Sequence, residues 1–241
     1  MELKSFIYWK LVYPIILRLD KFRGLDFLSE MSPEALQFNL KRAHGYGPSG
    51  KNFLKEVLSD FNISSTDSII DVGCGKGSAM KYLLDFPFER VDGIELSGLI
   101  ADIATQNFKK LNENRCRVFT GDAGYFNQYD DYNYIYFYNP FPPIVMAEVI
   151  ENLKFSLQRI DREMVIIYMS PTCNHVIAES GIFTQVGAYY KNDAWITVYS
   201  NKSIDKSVLS YNKKIHRSIE GTPLNDALKV YLQNYVLKAY K

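Results

Sequence analysis

The chain has 241 residues, 47% hydrophobic and 23% charged, with 14 glycines and 9 prolines, which excludes collagen-like and wholly disordered classes and suits one catalytic-sized domain with appendages. Its net charge of +1 conceals basic ends on an acidic middle: residues 1–24 carry net +3 and residues 201–241 net +5, leaving −7 on residues 25–200. Such ends either draw a protein to an anionic lipid or nucleic-acid surface or pack on the acidic body itself, and the near-neutral total argues against a nucleic-acid domain.

In chain order, residues 1–43 read as an N-terminal helical cap or interface segment. The longest apolar run, Leu11–Leu17, is broken by Pro14 and flanked by Lys10 and Arg18. It falls far short of the roughly 20 residues that cross a bilayer. It also lacks the flanks of a secretory signal. Phe6, Ile7, Trp9, Leu11, Tyr13, Ile16 and Leu17 lie among basic residues. They suit an amphipathic membrane-interface anchor on one reading and a lid or homodimer contact on the other. Lys51–Phe61 then reads as a helix, with Phe53, Leu54, Val57, Leu58 and Phe61 on one face.

From Ser68 onward short apolar runs alternate with helical stretches, the pattern of a parallel sheet covered by helices. The expected strands are Ser68–Gly73, Arg90–Leu96, Cys116–Gly121, Tyr134–Tyr138, Glu163–Met169, Thr184–Tyr190 and Ala194–Ser200. Helices are expected over Ser78–Leu84, Gly98–Leu111 and Pro143–Leu157. A polar turn at Lys191, Asn192 and Asp193 joins the last two strands as a hairpin. The fold class is therefore α/β, a doubly wound, mostly parallel seven-stranded sheet over residues 44–200. Residues 201–241 form a C-terminal linker followed by a helix opened by Thr222 and Pro223, with Leu224, Leu228, Tyr231 and Tyr235 on a stripe.

The densest chemical signal is Ile69-Ile70-Asp71-Val72-Gly73-Cys74-Gly75-Lys76-Gly77-Ser78. An apolar strand empties into three glycines at alternate positions and then a helix, where a ligand can approach bare backbone and unpaired N–H groups. A dinucleotide fingerprint requires G-x-G-x-x-G, and Ser78 stands where its third glycine would be. The triphosphate-binding G-x-x-x-x-G-K-[ST] is absent too.

This G-x-G-x-G loop led by Asp71 resembles motif I of class I S-adenosylmethionine-dependent methyltransferases, which have a Rossmann-like fold. The resemblance covers about residues 44–200. It implies that Asp71, Gly73, Cys74, Gly75 and Gly77 form the cofactor loop, and that Glu95, with Leu96 beside it, takes both ribose hydroxyls. It further implies that Asp122 accepts from the adenine amino group and that the Ala123 N–H meets the ring. Asn139-Pro140-Phe141-Pro142-Pro143 falls at the substrate-facing motif, where amino-directed members use the polar side chain and the first proline carbonyl as acceptors and an aromatic ring for stacking. Asn139, Pro140 and Phe141 are the catalytic candidates, with Phe141 one position early for stacking, and Asn139 also borders the cofactor.

The wording is similar to bacterial members of undefined substrate that carry Asn-Pro-Phe on strand four and a Tyr with Pro-Ser upstream. Here Tyr46-Gly47-Pro48-Ser49 implies that Tyr46 and Ser49 cover the methionine end. A more distant likeness is to non-SET protein-lysine methyltransferases. These likenesses imply S-adenosylmethionine as cofactor, S-adenosylhomocysteine as product, and a small-molecule or protein acceptor. A nitrogen acceptor is the first reading. An oxygen acceptor on a sugar or other small molecule is close behind, and a non-catalytic cofactor-binding module is the competing class. A nicotinamide enzyme is remote.

Of the aromatic residues, Tyr134, Tyr136 and Tyr138 share one strand face and are expected mostly to pack under a helix. Cys74, Cys116 and Cys173 form no CxxC pair, so a reducing compartment is expected and Cys74 reads as a space-filler. His44, His175 and His216 lack metal-ligand spacing, so no metal is expected. The expected location is cytoplasmic, possible contact with the inner face of the membrane running through the basic ends.

Overall fold

The computed structural model describes residues 12–29, 31, 42–44, 52–191 and 194–202. Tyr46, Ser49, residues 1–11 and the helix expected after Thr222 lie outside the described residues. Two helices precede the sheet, α1 (Tyr13–Phe22) and α2 (Asn52–Leu58). The core then runs β1 (Ser68–Val72), α3 (Ser78–Leu83), β2 (Arg90–Glu95), α4 (Gly98–Lys110) and β3 (Val118–Thr120). It continues through β4 (Tyr134–Tyr138), α5 (Pro143–Arg159), β5 (Val165–Met169), α6 (Asn174–Glu179), β6 (Thr184–Lys191) and β7 (Ala194–Ser200).

The strands form one seven-stranded sheet in the order β3-β2-β1-β4-β5-β7-β6. The first five are parallel, and β7 pairs antiparallel with both β5 and β6. All five residues of β1 are buried, as a central strand covered on both faces requires. Alternation along the strands divides the apolar residues between two layers. Ile69, Tyr136, Ile167 and Val198 pack with α2, α3 and Phe108 of α4. Ile70, Val72, Phe137 and Ile166 pack under α5 and Ile177 of α6. Tyr134 and Tyr136 thus sit in the core as expected.

Two differences from the sequence reading have local causes. The expected strand Cys116–Gly121 pairs only over Val118–Thr120, opposite Gly93–Glu95; its C-terminal end is cut short because β2 ends at Glu95. Helix α6 was not expected, since its six residues are too short to display a period. Burial also reaches upstream of the sheet: Leu25 and Phe27 belong to the core, and the Lys76 ammonium, buried in the glycine loop, donates to Asp26 Oδ2 (2.8 Å), the Ser29 carbonyl (3.0 Å) and Ser29 Oγ (2.6 Å). The sheet order reverses at β1, whose neighbours are β2 on one side and β4 on the other, opening a crevice beyond their C-terminal ends.

Candidate active site

That crevice is a cleft enclosing about 780 Å³ of empty space, open solvent included. Its walls gather the ends of four strands. The glycine loop supplies Gly73, Cys74 and Gly75, β2 supplies Glu95 and Leu96, the β3 end supplies Asp122 and Ala123, and β4 supplies Tyr138, Asn139, Pro140 and Phe141. Of the residues singled out in the sequence, Asp71 and Gly77 support this lining from behind. Arg42 and His44 join it although the sequence reading assigned them nothing there.

The glycines are required by the protein's own packing. Gly73 and Gly77 adopt φ of 83° and 84° and Gly75 55°, a region that side chains disfavour. A Cβ on Gly73 would lie 2.5 Å from Pro140 Cβ, and one on Gly77 2.5 Å from the Phe108 ring. Four N–H groups of the loop are paired within the protein. Gly73 N and Cys74 N donate to the Ile94 carbonyl at 2.9 and 3.0 Å, Gly77 N to the Cys74 carbonyl at 3.0 Å, and Gly75 N to Glu95 Oε2 at 3.0 Å. The strand curls back on β2 to satisfy these donors.

Glu95 ties loop to strand end. Its Oε2 takes the Gly75 N–H and its Oε1 the Ser97 N–H at 2.9 Å, which leaves each oxygen a second lone pair. Burial pushes its pKa up against the pull of those backbone donors. Asp71, buried beneath the loop, is pushed up to about 8, first by burial and then by the negative charge of Glu95. Its Oδ2 has no hydrogen-bond partner among the described residues. Cys74 is buried, its thiol held well above the ordinary range by burial and by the charges of Asp71 and Glu95, which suits a space-filler.

At the far side Arg42 grips Asp122 through Nε to Oδ2 (2.8 Å) and Nη2 to Oδ1 (2.9 Å), and also reaches Glu148 on α5. Asp122 Oδ1 additionally accepts the Gly124 N–H at 2.9 Å. Burial raises the Asp122 pKa, but Arg42 and Gly124 outweigh it and hold the carboxylate low.

The acceptor end is built from residues that follow two neighbouring strands. Asn139 and Ser170, which follow the paired strands β4 and β5, both have left-handed φ, 41° and 51°. Thr172 Oγ1 donates to Asn139 Oδ1 at 2.5 Å. The Pro140 carbonyl accepts the His44 N–H at 2.8 Å, and His44 Nδ1 lies 3.0 Å from the Asn139 carbonyl. Both acceptor oxygens read from the sequence thus already have one partner. Phe141 is 4% exposed and packs edge-on against Phe137 at 6.0 Å while still bordering the cleft.

No protein-family model matches the sequence, and no curated protein matches it. Among solved structures the chain is similar to yhhF from Escherichia coli, a methyltransferase by assignment, at 16% identity and a TM-score of 0.53, covering 73% of this chain and 92% of that one. It is also similar to the PH0226 protein from Pyrococcus horikoshii OT3, at 16% identity and a TM-score of 0.50, over 63% of this chain and 89% of that one. An RNA methyltransferase from Salinibacter ruber, crystallised with S-adenosyl-L-homocysteine, aligns at 14% identity and a TM-score of 0.49 over 68% of this chain and 99% of that one. The first two likenesses establish the fold: a seven-stranded, mostly parallel Rossmann-like sheet, as the sequence reading expected.

Proposed function

We propose that the chain is an S-adenosylmethionine-dependent methyltransferase. The observation that carries this reading is Glu95, a buried carboxylate held between the glycine loop and β2 on the wall of the cleft, with one lone pair per oxygen left for the two ribose hydroxyls. Charge supports it. S-adenosylmethionine is a sulfonium with net positive charge, and a wall that presents the Glu95 carboxyl, with the Gly73, Cys74, Gly75 and Gly77 N–H groups already paired, suits a cation better than the pyrophosphate of a nicotinamide dinucleotide. The methyltransferase assignment of yhhF agrees.

When bound, the cofactor supplies an electrophilic methyl group on a good leaving group. The chain's task is then to align an acceptor with the S–CH₃ bond and, where required, to remove its proton. In this reading Gly73, Cys74, Gly75 and Leu96 shape the cofactor wall, Asp122 and Ala123 meet the adenine, and Tyr46 and Ser49 cover the methionine end. The acceptor lies near Asn139 and the Pro140 carbonyl. A nitrogen acceptor uses the second lone pairs of those two oxygens. One observation favours an oxygen acceptor: His44 Nδ1 sits at hydrogen-bond distance from the Asn139 carbonyl. With Nδ1 donating there, Nε2 is left as the base an alcohol requires.

Calorimetry with S-adenosylmethionine, S-adenosylhomocysteine and NAD, followed by transfer of a tritiated methyl group into a cell extract, tests this. Methyl donor binding together with a labelled acceptor supports an enzyme. Donor binding without label points to a non-catalytic module, and NAD binding alone overturns the reading.

A further inference from the structure

Helix α1 carries its apolar residues on the outside. Val12, directly before it, and Ile15, Leu19 and Phe22 within it are 39%, 56%, 52% and 90% exposed. Their spacing places them in one sector of about 80° at 3.6 residues per turn. The other side seats the helix: Asp20 is buried, Tyr13 Oη donates to the Leu28 carbonyl at 2.8 Å, and Leu25 and Phe27 follow directly into the core. The charges are sorted in the same way. Arg18 and Lys21 on the helix and Arg23 after it are exposed, while the helix's one acid, Asp20, faces inward, with Lys81 Nζ 3.9 Å away. On the helical wheel Arg18 borders one edge of the apolar sector and Arg23 the other.

We propose that α1 docks the protein on an anionic lipid surface. An apolar row bordered only by cations matches a helix lying in the headgroup region, with its apolar side chains at the acyl boundary and its cations on lipid phosphates. Helix α1 has 10 residues, too few to cross a bilayer, so its contact is peripheral. Charge selects the occupant. A second copy placed against the stripe in a two-fold contact brings Arg18 and Arg23 against the same cations of its partner, an arrangement that costs energy. Residues 25–200 carry net −7 and are repelled by anionic lipid, so electrostatics also orients the protein with this helix toward the surface.

Co-sedimentation of the full chain with phosphatidylcholine vesicles, with and without about 30% phosphatidylglycerol, tests the proposal. Binding to the anionic vesicles is expected, falling about tenfold or more in the Ile15→Glu/Phe22→Glu variant and again at high salt. Arg18→Glu/Arg23→Glu removes the preference for anionic lipid. Phe155→Glu, at a half-exposed apolar position on α5, leaves binding unchanged. Because these side chains are exposed, the variants keep the parent's melting midpoint, which separates lost docking from lost folding. Absence of vesicle binding, equal binding to neutral vesicles, or self-association abolished by Ile15→Glu/Phe22→Glu without vesicle binding each overturns the proposal.

Discussion

Arg42 and Asp122 form a two-point clamp, Nε to Oδ2 and Nη2 to Oδ1, across 80 residues of sequence. The planar fork of the guanidinium matches the carboxylate, and its second reach to Glu148 ties the upstream segment to both the β3 end and α5. Asp122→Ala leaves Arg42 with Glu148 and the Tyr125 ring and removes the acceptor of the Gly124 N–H. With both partners partly exposed, the expected loss is about 1–2 kcal/mol of stability, read as a lower urea midpoint at constant slope. Calorimetry should also show weaker S-adenosylmethionine binding. A variant that keeps its stability but loses affinity would mean that Asp122 serves the ligand and that the clamp is incidental.

Glu95 makes a different prediction because its backbone partners lie on both sides of it. Glu95→Ala should weaken S-adenosylmethionine by roughly 1 to 3 kcal/mol through lost hydrogen bonds to a charged group. Glu95→Gln keeps one acceptor oxygen and should fall between the two. Affinity equal to the parent in both variants would take Glu95 off the ribose.

The glycine loop is testable without any ligand. Gly77→Ala places a Cβ 2.5 Å from the Phe108 ring at a φ of 84°, so both a clash and backbone strain oppose it. A loss of about 2–4 kcal/mol is expected. Adding Phe108→Leu relieves only the clash, so the double variant should recover part of the loss despite the smaller core residue. Strictly additive losses in the unfolding cycle would show that ring and glycine do not interact.

Much of this architecture was legible because it is encoded locally. Tyr134–Tyr138 and Ala194–Ser200 end where expected, since each apolar run stops at polar or proline punctuation. In the cleft lining, Gly73 and Gly75 were legible from the glycine spacing, and Glu95, Asp122 and Asn139 from the family resemblance at the strand ends. What escaped is what the tertiary fold decides. Nothing near Arg42 announces its partners at positions 122 and 148. The turn of Asn139 toward Thr172 depends on β4 and β5 ending side by side in left-handed residues. The glycine loop read as a ligand cradle because sequence reveals which residues lack a Cβ, not whether a ligand, Pro140 or Phe108 fills the space.

His44 offers a kinetic test of the acceptor end. His44→Ala keeps the backbone N–H that holds the Pro140 carbonyl but deletes the imidazole beside the Asn139 carbonyl. If the ring takes the acceptor's proton, transfer of labelled methyl should fall by about 10²–10⁴ while cofactor affinity stays near the parent value. A rate unchanged by the substitution would leave proton removal to solvent and favour an acceptor nitrogen that is already unprotonated.

Asp71 predicts how stability depends on pH. Its carboxyl is pushed up to about 8 in the folded chain, by burial and then by Glu95, from an ordinary value of 3.8. Between those values the folded state holds a proton that the unfolded state has lost, so stability falls as pH rises, with a slope approaching about 1.4 kcal/mol per pH unit from this group alone. Glu95, shifted in the same direction, adds to the slope. The melting midpoint should therefore decline from about pH 5 toward pH 8, and Asp71→Asn should flatten that decline and raise the midpoint near pH 8. A parent midpoint that climbs across this interval would require Asp71 to be ionised in the folded protein, with a cation or donor near Oδ2.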